Sequence, residues 1–228
     1  MNQELINKKN VYGLIKKAFT DFAKENGFTF LKNGILVRIR GDILHTIYFD
    51  LGLSGLACDI AIQPLYVPSE DIVLSFGNRI SKFKVNMSER WPYGKTEHQL
   101  EQTLKEIKEL LEKNALNWFQ ETGTPRGIVE FIQAGYADDQ SLILGLPKFV
   151  KKQYLAFSYL YQNELELGTQ ELRNLEQVLV DDSRPWAVGI KELSKNMREL
   201  IINCPDLVEK TLKQFVLKTR QNLKLQSI

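Results

Sequence analysis

The chain has 228 residues, 43% of them apolar and 25% charged, and a formal net charge of +2. That length can bury a sizeable core, and the proportions are those of a folded globular protein rather than a disordered or fibrous one. Up to Gly123 there are 16 basic and 15 acidic residues, and from Thr124 onward 14 and 13, so neither half has the basic excess of a general nucleic-acid binder.

Two cysteines, Cys58 and Cys204, lie far apart. They make no disulfide framework and are expected to be small buried hydrophobes in a reducing compartment. The first ten residues, MNQELINKKN, lack the apolar centre of a signal peptide. No apolar run reaches the ~20 residues that a bilayer span needs. The expectation is a cytoplasmic protein with no membrane partner.

Val11 to Glu25 reads as the first helix, with Val11, Ile15, Ala18, Phe19 and Phe22 on one stripe. Asn26-Gly27 should close it, because glycine adopts the left-handed conformation of a helix stop. The stretch from Gly34 to Ile80 then reads as strands. In Ile35 to Arg40, Ile35, Val37 and Ile39 alternate with Leu36, Arg38 and Arg40, the pattern of a strand with one buried face. On that pattern the arginine face is the one away from the core. Gly41-Asp42 suits a hairpin turn into Ile43–Phe49. Asp50 to Gly55 is a glycine-bearing break, Leu56–Gln63 a third strand ended by Pro64, and Ile72–Phe76 a fourth. Short links between consecutive strands favour an antiparallel meander.

Thr96-Glu97-His98-Gln99 matches a capping box. The long helix it opens carries Leu100, Leu104, Ile107, Leu111, Ala115 and Trp118 on one stripe. Thr124-Pro125 is a helix start. Helices follow at Pro125–Ala134, Pro147–Tyr161, Gln170–Val180, Pro185–Ile202 and Pro205–Lys224, with Gly168-Thr169 as punctuation. Short links between amphipathic helices imply a bundle of antiparallel neighbours. The fold class is therefore α+β: an antiparallel sheet of four to five strands flanked by helices, followed by an all-helical C-terminal bundle. The division falls at residues 1–123 and 124–228, the second a domain or an extension packed on the first.

Chemistry-bearing patterns are sparse. The only histidines are His45 and His98, and no Cys or His stands at ligand spacing, so no metal site and no cofactor is expected. Asp50 and Asp59 bracket the glycine break and, with His45, form the one constellation that would serve a small hydrolase-like enzyme. Two turn-capping or solvated aspartates and a strand histidine account for the same residues. Residues 79–95, RISKFKVNMSERWPYGK, hold five basic residues and one acidic, with Phe83, Trp91 and Tyr93 between them. Such a stretch suits an acidic protein partner or, as an alternative, weak nucleic-acid binding through Arg79–Lys95. The blander reading, favoured over either partner, is a loop whose aromatics tuck into the core beneath a solvated basic rim. The candidate binding residues are Arg38, Arg40, Arg79, Lys82, Lys84, Arg90 and Trp91, with no catalytic residue assigned.

Glu25-Asn26-Gly27-Phe28, Leu31-Lys32-Asn33-Gly34, Arg38, Ile47 to Leu53, Arg79-Ile80 and Trp91-Pro92 together resemble a bacterial α+β domain family of unknown function, over about residues 10–120. The chain departs from that pattern at Thr46 and Ile47, where the family has a polar, glutamine-type residue. The resemblance implies an α+β fold in a small cytoplasmic bacterial protein. It carries over Gly27, Phe28, Arg38, Gly52, Arg79 and Trp91 and implies no activity. The reading of the whole is a non-enzymatic interaction protein, immunity- or antitoxin-like.

Overall fold

A computed structural model of the protein describes residues 8–32, 34–84, 89–94 and 96–225. Helix α1 (Lys8–Asn26) leads into a five-stranded antiparallel meander. Its strands are β1 (Thr29–Lys32), β2 (Ile35–Arg40), β3 (Ile43–Leu51), β4 (Leu56–Pro64) and β5 (Gly77–Arg79), in that spatial order. A long helix follows as α2 (Glu97–Leu110), a π-turn (Leu111–Ala115) and α3 (Leu116–Thr122). The helical half comprises α4 (Pro125–Gln133), α5 (Lys148–Tyr161), α6 (Leu165–Val178), α7 (Pro185–Asn203) and α8 (Val208–Asn222). The protein is α+β, and no helix among the described residues is long and apolar enough to cross a membrane.

Local chemistry sets the boundaries. Gly27 takes φ +71° after α1, and the Phe28 amide reaches back to the Ala23 carbonyl at 2.8 Å, so the helix ends and the chain turns into β1. The Thr96 hydroxyl accepts from the Gln99 amide at 3.3 Å, and Thr124 accepts from Gly127 at 2.9 Å with Pro125 in the first turn. These contacts satisfy amides that have no partner within the helix.

Side chains alternate between the two faces of the sheet. One face, carrying Leu36, Ile47, Phe49, Cys58 and Ile60, lies under α1 and the α2–α3 helix; Phe19 meets Phe49 with ring centroids 4.8 Å apart. Leu100, Leu104, Ile107, Leu111 and Ala115 are fully buried along the long helix. The opposite face carries Tyr48, Asp50, Asp59 and Arg79 and is partly open. A single cluster of buried apolar side chains runs from Val11 through the sheet to Ile128, Phe157 and Leu212, so both halves share one core. Polar ties reinforce the junction. The Tyr66 hydroxyl and Ser158 are 2.8 Å apart in the interior, and Tyr161 donates to Asp42 at 2.5 Å.

Four expectations are corrected. Residues Ile72–Phe76 form no strand. The Gln63 side chain bonds to the Val73 amide (2.9 Å) and the Asp71 carbonyl (3.1 Å), serving this loop in place of a ladder, and pairing resumes only at Gly77. Strand β1 was not anticipated; its four residues include an irregularity in the register, so no alternation is visible. Gly168 lies inside α6 rather than before it, because a Cβ there would collide with Leu160 of α5. Its absence lets the two helices approach. Cys58 is buried, but Cys204, at the end of α7, is exposed.

Candidate functional site

The seven residues singled out from sequence occupy different environments. Arg38 faces the covered side of the sheet, contrary to expectation, because it pairs in register with His45 and both lie under α3. Its Nε donates to His45 Nδ1 at 3.1 Å and its Nη1 to the Asn26 carbonyl at 2.9 Å. The guanidinium sits 4.5 Å from the Phe28 ring centroid and 5.6 Å from that of Phe119. Burial, with the nearby Arg40 charge, lowers its pKa to about 10. Arg38 is thus a structural clamp joining the end of α1, the sheet and α3. Arg40 is exposed at the end of the same strand.

Across the open face, Tyr48, Asp59 and Arg79 stand side by side on β3, β4 and β5. Arg79 Nε donates to Asp59 at 2.8 Å and Nη1 to Glu89 at 2.6 Å. The bond to Asp59 raises the Arg79 pKa. One step further along, Arg90 holds the Asp50 carboxylate and the carbonyls of Asp50 (3.2 Å) and Gly55 (3.0 Å). The Tyr93 hydroxyl donates to the Gly52 carbonyl at 2.6 Å. Two glycines make this docking feasible. A Cβ on Gly52 would stand 2.5 Å from Arg90 Nη1, and one on Gly55, at φ +138°, would strike the Trp91 carbonyl.

Trp91 is buried and pairs with Leu56 through two 2.8 Å backbone bonds. Its indole donates to Glu106 at 2.9 Å, and Lys84 donates to the same carboxylate at 2.8 Å. Desolvation opposes ionisation there, but these two bonds hold the Glu106 carboxyl below its usual range. Lys82 bonds to the Gln140 carbonyl. Arg79, Lys82, Lys84 and Arg90 are therefore each bonded to acceptors of the chain itself, and the segment is tied down rather than presented as a free cationic array. Val85–Ser88 and Lys95 lie outside the described residues.

The enzyme constellation does not assemble. His45 projects to the face opposite Asp50 and Asp59, which hold Arg90 and Arg79. Its ring stacks on Phe119 at 4.7 Å, and its Nε2 lies against the Gly123 backbone without an aligned hydrogen bond. Burial, with the Arg38 charge beside it, depresses its pKa to about 3, so the imidazole is neutral at physiological pH and has no solvent path to a substrate. His98 is exposed in the first turn of α2. Among the described residues no group of three or more His, Cys, Asp or Glu side chains is arranged to hold a metal ion.

Concave surface lies elsewhere. Edge strand β1 is flanked by two clefts that share Tyr12, Leu31 and Lys32. The larger, about 770 Å³, runs from Ile35, Thr46 and Tyr48 on the sheet to Ile72 and Leu74 and to the end of α8 at Leu223. The smaller, about 240 Å³, adds Lys16, Phe30 and Gly34. Lys16 and Lys32 are exposed there, and its lining includes no carboxylate among the described residues. The larger cleft carries Glu70 and Asp71 against Lys32 and Lys224. Comparison with protein-family profiles, with curated proteins and with solved structures finds no match. The functional reading therefore rests on this geometry. Sequence reasoning missed the β1 clefts because their walls come from α1, the hairpin, the loop after β4 and the end of α8, segments that periodicity does not place together.

Proposed function

We propose that this chain is a non-enzymatic protein-interaction module, immunity- or antitoxin-like, that captures an extended acidic segment of a partner protein along β1. The observation that carries the reading is the edge position of β1 in the sheet, with two clefts that both draw on its residues Leu31 and Lys32. An added strand takes its affinity from main-chain hydrogen bonds to an exposed sheet edge and its specificity from pockets that receive alternate side chains. Leu31 and Ile35 offer apolar contact, and Lys16 with Lys32 offers the charge that selects acidic residues. The acidic partner expected from residues 79–95 is retained, but its contact moves from the Arg79–Trp91 segment, whose described cations are already engaged, to the lysines beside β1. The resemblance of residues 10–120 to a bacterial α+β family is compatible with such a role and adds no activity to it.

A defined probe tests this. A ten-residue peptide alternating glutamate and valine, labelled for fluorescence anisotropy, is titrated with the full chain at low and moderate salt. The expected result is saturable binding that weakens with salt and is lost when Lys16 and Lys32 are both changed to Glu. A lysine–valine peptide should not bind. Equal binding of both peptides, or of the doubly reversed variant, contradicts the proposal. Lysine on a short edge strand also guards against aggregation, so the variant's size in solution is compared with that of the parent chain alongside.

A further inference from the structure

The long helix is interrupted once. At the π-turn the Leu116 amide bonds to the Leu111 carbonyl, five residues back. Such single turns are uncommon and concentrate at functional sites. The helix through and after this turn forms one wall of a groove of about 650 Å³ that shares no lining residue with the clefts beside β1. Four aromatic rings face it: Phe83, Trp118, Phe131 and Tyr136.

The polar groups of this groove are mostly acceptors, since the Thr122 hydroxyl is spent on the Trp118 carbonyl at 2.7 Å. Asn114 Nδ2 donates to the Leu110 carbonyl at 3.2 Å, and Asn117 Nδ2 to the Lys113 carbonyl at 3.3 Å. Because both partners are carbonyl oxygens, the atoms that meet them are the amide nitrogens, and each Oδ1 remains as an acceptor. Glu121 is exposed and makes no ion pair among the described residues. Glu130 gives one oxygen to Arg126 at 2.6 Å. The Trp118 indole N–H is buried out of reach of solvent, so it adds no donor to the groove. Among the described residues Lys113 is the one ammonium of the lining. Aromatic faces beside a carboxylate and two amide oxygens complement a flat cation rich in donors. A guanidinium is planar, stacks on rings and presents several N–H groups in a fixed fork, whereas an ammonium is a compact, strongly hydrated point charge.

We propose that this groove binds an arginine side chain of a partner polypeptide, with the guanidinium stacked on the aromatic walls and hydrogen-bonded by Glu121 and the free asparagine oxygens. The proposal stands independently of the reading at β1, since it concerns other residues and the opposite charge.

The test is NMR of the full ¹⁵N-labelled chain, following the Trp118 indole cross-peak, identified by its proximity to the Phe76 and Phe119 rings. The ligand is N-acetyl-arginine-N-methylamide. A saturable shift is expected. The citrulline analogue, which keeps shape but not charge, should bind about tenfold more weakly, as should the arginine probe to Glu121→Gln. Glu121 is exposed, so that variant keeps the fold. No saturable shift, or equal affinity for the citrulline or lysine analogue, overturns the proposal. Free guanidinium ion binding as tightly as the arginine probe also overturns it, by assigning the groove to a small-molecule cation.

Discussion

Arg38 Nε and His45 Nδ1 lie 3.1 Å apart across β2 and β3, so a guanidinium is held against a neutral imidazole beneath α3. This contact explains why Arg38 is an arginine. It serves two acceptors and two aromatic rings at once. Arg38→Met keeps the stem but removes the charged hydrogen bonds, at a cost of about 2–3 kcal/mol. Arg38→Lys is expected to lose nearly as much, because a point charge cannot span both acceptors and stack. Urea denaturation measures both; an effect within about 0.5 kcal/mol would match an ordinary surface site instead.

His45 makes stability depend on pH. Its folded-state pKa of about 3 is below its usual value near 6.5, because burial first and then Arg38 and Arg40 disfavour the imidazolium, against Gly123, which favours it. The unfolded chain therefore binds the extra proton between those values, so the stabilisation is complete above pH 6.5 and is lost as pH falls toward 3. From pH 6.5 to 5 the loss attributable to this residue is roughly 1.5–2 kcal/mol, within the limit of about 1.4 kcal/mol per pH unit. In His45→Gln the slope over that interval should flatten. An unchanged slope would place the acid sensitivity elsewhere.

Two glycine replacements should act in opposite directions. Gly55→Ala requires a side chain at φ +138° and drives its Cβ into the Trp91 carbonyl. It is expected to cost about 2–4 kcal/mol and to release residues 89–94 from Leu56, visible as new protease sensitivity. Gly13→Ala falls at an exposed position of α1 with nothing within 4 Å of the new methyl group and should stabilise by about 0.5–1 kcal/mol.

The two halves are joined by the buried Tyr66–Ser158 hydrogen bond as well as by apolar contact. Burial raises the Tyr66 pKa far above its usual value, so the phenol stays protonated in the folded chain. A double-mutant cycle with Tyr66→Phe and Ser158→Ala should give a coupling of about 1 kcal/mol. A coupling near zero would mean that the pair adds nothing beyond packing.

Much of the architecture was legible in the residues themselves. The Leu100-to-Trp118 stripe, the Thr96 and Thr124 caps and the hairpin at Gly41 all rest on contacts within a few positions of each other. What was not legible depends on distant partners. Residues 79–95 contain a single acid, so their own sequence does not show whether the cations form a free surface or the rim of a packed loop. The acceptors that engage them from outside the segment are the carboxylates of Asp50, Asp59 and Glu106 and the Gln140 carbonyl, brought in by the meander, the long helix and the turn after α4. Likewise Arg38 reads as solvent-facing from alternation alone, because the chain that covers it is α3, about 80 positions later. The π-turn left no mark, since Leu111 and Ala115 continue the apolar stripe through it.

The capture of an extended segment at β1 is tested most directly by amide hydrogen exchange over residues 29–32, with and without the glutamate–valine peptide. The account predicts that β1 amides not bonded to β2 become protected when the peptide binds, while residues 77–79 of β5 at the other edge keep their exchange rates. Unchanged β1 exchange under saturating peptide, or protection confined to residues 77–79, would contradict it.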